Sequence, residues 1–295
     1  MSHEVTARKT KVIAVGNQKG GVAKTSNLIH IATALGEMGR RCLIFDLDMN
    51  QGATRHLGIP SESFLGTFEV LTGEEEPTDV IITPDDGVEL PKNIHLIAAR
   101  RNLEKIDQAL AARDKFLVTQ DVLINPLRKL AGMYDYIFLD TAPNATTPTI
   151  AAYKSADWFI LSATPDPFAI AGLNDALTDI QGAQRYGNPN LRLLGVILCC
   201  VDSRTILASS LTEYVEKLFS DGSKSLKFDT LISRSTVVPQ SQKLGKTIFQ
   251  TAPNHKVTNQ YRKLSKEIEA RIAEFEEPVT TSTIKSAVST KRGKK

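Results

Sequence analysis

Gly16-Asn17-Gln18-Lys19-Gly20-Gly21-Val22-Ala23-Lys24-Thr25-Ser26 follows an apolar strand pattern, Lys11 to Val15, and opens a helical pattern near Ser26. Strand, glycine loop and helix in that order make a phosphate cradle. Backbone N–H groups and the positive end of the helix hold phosphate oxygens, Lys24 neutralises the β and γ groups, and the Thr25 hydroxyl ligates Mg²⁺. The expected nucleotide contacts are Lys19, Gly20, Gly21, Val22, Ala23, Lys24, Thr25 and Ser26. One lysine suffices for that chemistry. The second, Lys19, stands at the loop entrance five positions before Lys24. A lysine fixed there points away from its own phosphates in most such geometries, so its charge is read as offered to the nucleotide of another subunit.

Outward from the loop, apolar runs rich in β-branched residues recur at Lys11 to Val15, Cys42 to Phe45, Ile94 to Ala98, Tyr136 to Leu139, Phe159 to Ser162 and Leu193 to Cys200. Helical patterns lie between most of them: Ser26 to Met38, Leu103 to Ala112, Val118 to Leu130, Leu173 to Tyr186 and Ser209 to Phe219, with another at Asn259 to Phe275. Strands buried on both faces and separated by helices predict an α/β fold, a doubly wound and mostly parallel sheet with its ligand at the carboxyl ends. The expected organisation is a flexible segment over 1–10, one domain over 11–277 that carries the phosphate cradle, and a disordered basic tail over 278–295. The acidic stretch Gly73 to Asp86, with Pro77 and Pro84, reads as a solvated connection.

Composition sets limits. A chain of 295 residues with 41% hydrophobic residues can bury a sizeable core. The formal charge of +3 is local in origin: from Pro278 onward there are five basic residues and no acid, so the rest of the chain sums to −2. No apolar run is long enough to cross a bilayer, and the polar start Met1 to Thr10 lacks the apolar core of a secretion signal. Cys42, Cys199 and Cys200 form neither a disulfide framework nor a zinc spacing, and read as buried thiols in a reducing cytoplasm.

Two further stretches carry acids to strand ends. In Asp46-Leu47-Asp48, alternation along an extended segment puts both carboxylates on one side, facing the phosphate loop. Tyr136-Ile137-Phe138-Leu139-Asp140 is a mostly apolar strand closed by an acid, and Asp140 is expected to accept from a metal-bound water or from Thr25. Thr25 and Asp140 are the metal-side residues that these patterns supply, and the resemblance given next adds Asp46 to that set.

Lys-Gly-Gly-x-x-Lys-Thr, with its early lysine, resembles the deviant Walker A motif of the ParA and MinD ATPases, and the chain looks most like a ParA-type DNA partition ATPase from about Lys11 to Arg271. Gln18 and Ala23 stand where the strict P-loop pattern has glycine, and Met49-Asn50-Gln51-Gly52 replaces the family's Pro-Gln-Gly-Asn. The resemblance implies an ATPase with ATP and Mg²⁺ as cofactors and Lys19, Lys24 and Asp48 as catalytic residues. Asp48 orients or deprotonates the attacking water, and Asp46 sits nearer the metal's water shell. Thr164 to Phe168 and Cys199 to Arg204 resemble family segments near the sugar and base. Arg204 matches an arginine used on DNA, and Arg234 resembles a later basic element, although Val237 replaces a second arginine. Lys243 and Lys246 complete the expected DNA-binding set. Lys224, Lys227, Arg234, Lys243, Lys246, Lys256, Arg262, Lys263 and Lys266 face only Asp229 as an acid within their stretch, a footprint for sequence-independent phosphate contact.

By resemblance the protein is an ATP-dependent dimerising switch that binds DNA non-specifically in its ATP state. It positions plasmid or chromosome cargo, lies on the nucleoid in the cytoplasm, and has weak basal activity stimulated by a ParB-like partner. The first alternative is a MinD-like regulator at the membrane surface. Stable membrane binding is not expected, because Thr280 to Lys295 offers only Ile284 and Val288 as sizeable apolar groups. Positioning of a protein cargo, or a metabolic enzyme sharing the loop, are the others. Without a helix-turn-helix pattern before Lys11, the chain resembles the short ParA type.

Overall fold

Runs of β-branched and aromatic residues in this chain become strands because both faces of each are buried, so no polar alternation is needed. A computed structural model describes residues 9–113, 118–202, 204–218 and 225–276. In chain order the elements are β1 (Lys11–Gly16), α1 (Lys24–Glu37), β2 (Cys42–Asp46), α2 (Gly52–His56), α3 (Thr67–Thr72), β3 (Ile94–Ile97), α4 (Ile106–Arg113), α5 (Ile124–Leu130), β4 (Tyr136–Asp140) and α6 (Thr147–Ser155). There follow β5 (Trp158–Ala163), α7 (Ala169–Tyr186), β6 (Arg192–Leu198), α8 (Ile206–Leu218), α9 (Val237–Lys243), α10 (Ile248–Thr251) and α11 (Lys256–Glu276). The expected segments at 1–10 and 278–295 fall wholly or almost wholly outside the described residues, as does Lys224.

The strands form one parallel sheet in the order β3-β2-β4-β1-β5-β6. Side chains alternate across it. On β1, Val12 and Ala14 join the core beneath α3 to α8, while Ile13 and Val15 join the core beneath α1, α2, α10 and α11. From β1 the chain runs through α1 to β2 on one side, and after β4 it crosses β1 to reach β5 on the other. That reversal opens a crevice beyond the carboxyl ends of β4, β1 and β5, where ligands of such sheets bind.

Two helical readings shorten at their starts. The residues preceding α4 wind as a 3₁₀ turn at Arg101–Lys105, and Thr119–Asp121 does the same before α5. The short helices α2, α3, α6, α9 and α10 were not expected, because four to nine residues hold too few turns to show a helical period. Start signals do mark α6, with Thr146 capping Thr149 N–H and Pro148 in the first turn, and α10, where Gln250 accepts from the Thr247 N–H in a capping box. Within the acidic connection the acids are mostly exposed, but Pro77, Val80 and Ile82 are buried and Ile82 bridges to Leu96 antiparallel to β3.

Candidate nucleotide site

The loop leaves β1 at Gly16 and turns into α1 at Lys24, with Ala23 in the left-handed region at φ 58°. A Cβ on Gly20 or Gly21 would meet nothing within 4 Å, so the space over the loop is open to a ligand. Lys24 is buried beneath it, and its Nζ donates to the Lys19 carbonyl at 3.0 Å. Burial lowers its pKa, while Asp140 and Asp48 pull it back up.

Three strand-end features converge there. Thr25 Oγ1 lies 3.0 and 2.8 Å from the two Asp140 oxygens. Strand register pairs Asp46 directly with Asp140, and both carboxylates are fully buried. Burial is the main cause that raises both pKa values, Asp46 to about 6 and Asp140 well above the ordinary range; the charge of Asp46 raises Asp140 further, and that of Asp48 raises Asp46. Asp140 and Asp48 thus act on a single buried ammonium, Lys24, with Asp46 beside Asp140 in the strand register. Such an acid-rich, all-oxygen set with one hydroxyl suits a hard divalent cation. Among the described residues no three acidic, histidine or cysteine side chains could cage a metal alone. Magnesium completes its octahedron with phosphate oxygens and water, so it needs few protein oxygens.

Asp46 and Asp48 differ in task. The Asp46 oxygens accept from Thr54 N–H at 2.9 Å, Thr54 Oγ1 at 2.7 Å and Asp48 N–H at 3.1 Å, so this carboxylate organises the loop between β2 and α2. Asp48 caps its own turn, with Oδ1 accepting from Asn50 N–H at 2.8 Å and Asn50 Nδ2 at 2.9 Å, and it still acts on Lys24. The loop also reaches the far helix layer. Tyr261 Oη donates to Asn27 at 2.7 Å, Asn27 Nδ2 to Ser162 Oγ at 2.8 Å, and Ser162 Oγ to the Val22 carbonyl, a buried chain from α11 to the phosphate cradle.

Lys19 does not extend freely into solvent. Its Nζ is ion-paired with Asp166 of the same chain and stands 5.6 Å from the Phe168 ring centroid. The Thr164 to Phe168 stretch, which resembles family segments near the sugar and base, forms the seat of this lysine. Burial would raise the Asp166 carboxyl, but hydrogen bonds from Lys19, Phe168 N–H and Thr164 outweigh it and hold the pKa below its ordinary value. Beside the loop, a cleft of about 260 Å³ runs between α6 and α7, with Asn17, Gln18, Pro143, Asn144 and Tyr153 among its lining residues.

The basic residues divide. Arg204, 87% exposed, folds onto Asp202 at 2.8 and 2.9 Å, and Arg234 also acts on Asp202, so these two arginines share one end of the sheet beyond β6. Lys243 closes α9 in solvent, while Lys246 pairs with Glu89 at 2.9 Å. Lys227 is buried beside Glu216 at 3.6 Å, and Arg262 is bound to Glu37 at 2.7 Å. The acid-poor stretch therefore meets acids from distant parts of the chain, which a count along the sequence cannot register. Cys42 and Cys199 are buried, as expected, but Cys200 is exposed. Its backbone turns left-handed at φ 55°, and a hydrogen bond from Cys199, ahead of the nearby Arg234, lowers its pKa to about 7.

Fold and site together define a P-loop nucleotide-binding protein of the deviant Walker A type. Residues 10–193 match a family described as AAA domain. A chromosome-partitioning ATPase, Soj, from Thermus thermophilus is 32% identical over 269 residues, 90% of this chain and 98% of the relative. A ParA family protein of Chlamydia muridarum is 31% identical, with 88% and 97% covered. Among solved structures, cobyrinic acid a,c-diamide synthase from Mycobacterium smegmatis, with bound ATP analogue and magnesium, superposes with a TM-score of 0.73 at 28% identity over 87% of this chain and 93% of that one. The chain belongs to the ParA-type family of partition ATPases.

Proposed function

We propose that this protein is a magnesium-dependent ATPase that pairs with a second copy when ATP is bound, binds DNA without sequence preference in that state, and lets go after hydrolysis. The observation that carries the reading is the division of two lysines in one loop: Lys24 buried beneath the open phosphate seat, Lys19 held at its mouth. In the paired form Lys19 of each copy leaves its own chain and contacts the other's phosphates. Magnesium, bound with the nucleotide, neutralises phosphate charge. Thr25 and Asp140 hold its shell, with Asp46 keeping the surrounding loop in place. Asp48 orients the attacking water and accepts its proton, and Lys24 balances the β and γ oxygens. Loss of the γ group removes the contact that joins the copies.

DNA contact is assigned to Arg204, Arg234, Lys243 and Lys246. A ParB-like partner stimulates turnover, and the protein works on the nucleoid in the cytoplasm to position plasmid or chromosome cargo. The test is DNA retention with ATP, ADP and no nucleotide at two salt concentrations. Retention only with ATP, falling steeply as salt rises, is expected; equal retention in all three states contradicts the switch.

A second reading is favoured by the cleft between α6 and α7 and by the likeness to a synthase: an ATP-dependent enzyme that accepts a small molecule beside the phosphate loop. It requires turnover that depends on a metabolite and ignores DNA. DNA-stimulated turnover by the purified chain, with no metabolite added, rules it out.

A further inference from the structure

We propose that Asp166 is a positioning residue: it latches Lys19 within its own chain and thereby sets the ATP concentration at which two copies join. The inference rests on the reading of Lys19 as a cross-subunit lysine. Both halves of the latch are built into the fold. Asp166 lies in the turn from β5 to α7, where its Oδ1 accepts from Phe168 N–H at 2.9 Å and its Oδ2 from Thr164 Oγ1 at 2.9 Å. Lys19 is fixed from its backbone, its N–H donating to Asn17 Oδ1 at 2.9 Å, while Asn17 Nδ2 donates to the Ser162 carbonyl at 2.8 Å. The first turn of α7 presses on this arrangement. A Cβ on Gly172 would stand 3.1 Å from Asn17 Oδ1 and 3.4 Å from Lys19 Cβ, so the lysine stem runs close against the helix at a glycine, where a side chain would fit only tightly. Phe168, 70% exposed, then covers the ammonium from outside.

An ammonium held by Asp166 cannot at the same time reach a phosphate of a second copy. Joining therefore selects the fraction of molecules whose latch is open, and because each copy contributes a lysine the penalty counts twice. The pair is partly exposed, Lys19 at 29% and Asp166 at 24% of their side-chain surfaces, which keeps the latch weak enough to open. A triphosphate, carrying more charge than one carboxylate, competes for the lysine once it is bound by the partner.

The test measures ATP-dependent dimerisation of the full chain by sedimentation across an ATP titration. Asp166→Asn keeps an acceptor for Phe168 N–H and removes the charge. It is expected to dimerise at about tenfold lower ATP, about threefold for each of two latches, with much less change in maximal turnover. Asp166→Glu is expected to restore the unmodified midpoint. Lys19→Ala and the double variant Lys19→Ala with Asp166→Asn are expected to behave alike, neither forming the dimer. Should Asp166→Asn fold poorly, Asp166→Ser, which retains a hydroxyl acceptor for the turn, provides the same comparison. An unchanged or raised midpoint in the charge-free variant, alongside a Lys19→Ala protein that has lost dimerisation, overturns the latch while leaving the cross-subunit lysine intact. Normal dimerisation by Lys19→Ala overturns both.

Discussion

Ala23 holds a left-handed backbone at φ 58° immediately before Lys24, a conformation that costs an L residue roughly 1–2 kcal/mol and costs glycine little. The departure from glycine visible in the sequence is thus a local strain that the loop's other contacts sustain. Gly52 is constrained differently: a Cβ there would lie 2.9 Å from Thr25 Oγ1 and 3.4 Å from Asp140 Oδ2, so its missing side chain is what lets the β2–α2 loop close over the hydroxyl and carboxylate. Gly52→Ala is expected to lower stability by about 1–3 kcal/mol, measured by denaturant unfolding, and to impair ATP turnover as well. Gly20→Ala, whose Cβ meets no protein atom, is expected to leave unfolding unchanged while weakening nucleotide binding, because it projects into the space a phosphate needs. Equal effects of the two on stability would contradict this assignment. At this scale the sequence was most readable. Lys24, Thr25 and Asp140 come together as the motif spacing implied, since strand ends of a parallel sheet bring them there. Asp166 was not legible as the partner of Lys19, because that contact depends on how the β5–α7 turn folds back on a loop far away in sequence.

Among the elements, α2 links the site to the rest of the protein. Its Thr54 binds Asp46, and just beyond its end Gly58 meets Gly245, each leaving no room for a side chain against the other's backbone. His56 on α2 and His30 on α1 are both buried, with ring centroids 5.3 Å apart. Neither His56 nitrogen has a hydrogen-bond partner among the described residues. Burial lowers the His56 pKa to about 4, and burial together with His56 drives His30 well below its ordinary value. A histidine depressed in this way contributes stability that is complete above its unfolded pKa near 6.5 and is lost as pH falls through about 4. Asp46 and Asp140, raised in the fold, act in the opposite sense, so the total profile mixes both signs. The His56 share is isolated by comparison with His56→Leu. The leucine variant is expected to gain on the unmodified protein by roughly 2 kcal/mol more at pH 5 than at pH 7.5, measured as the difference in unfolding free energy. A gap that does not widen contradicts a buried, neutral imidazole. The five residues of α2 gave no periodic signal, so its place between the acids and α9 could be found only in three dimensions.

Across the whole molecule, the sheet follows from six buried runs, and all six strands end within two residues of the bounds read from sequence. Strand order was beyond that reading, because identical apolar runs are compatible with several permutations. The charge map is where a linear view fails most. Lys227, Lys246 and Arg262 find Glu216, Glu89 and Glu37 across the fold, while Arg204 and Arg234 beyond β6, Lys243 on α9 and Lys256, Lys263 and Lys266 on α11 are exposed. The account stands or falls on one loop serving two nucleotides. Its most direct test mixes two inactive proteins, Lys24→Ala, which cannot hold ATP, and Lys19→Ala, which holds ATP but cannot reach across. In a mixed pair the intact Lys19 of the first meets the nucleotide of the second. ATP hydrolysis that is absent from each protein alone and returns on mixing is the predicted result. A mixture as inactive as each protein alone, or a Lys19→Ala protein that by itself hydrolyses ATP at the unmodified rate, would contradict it.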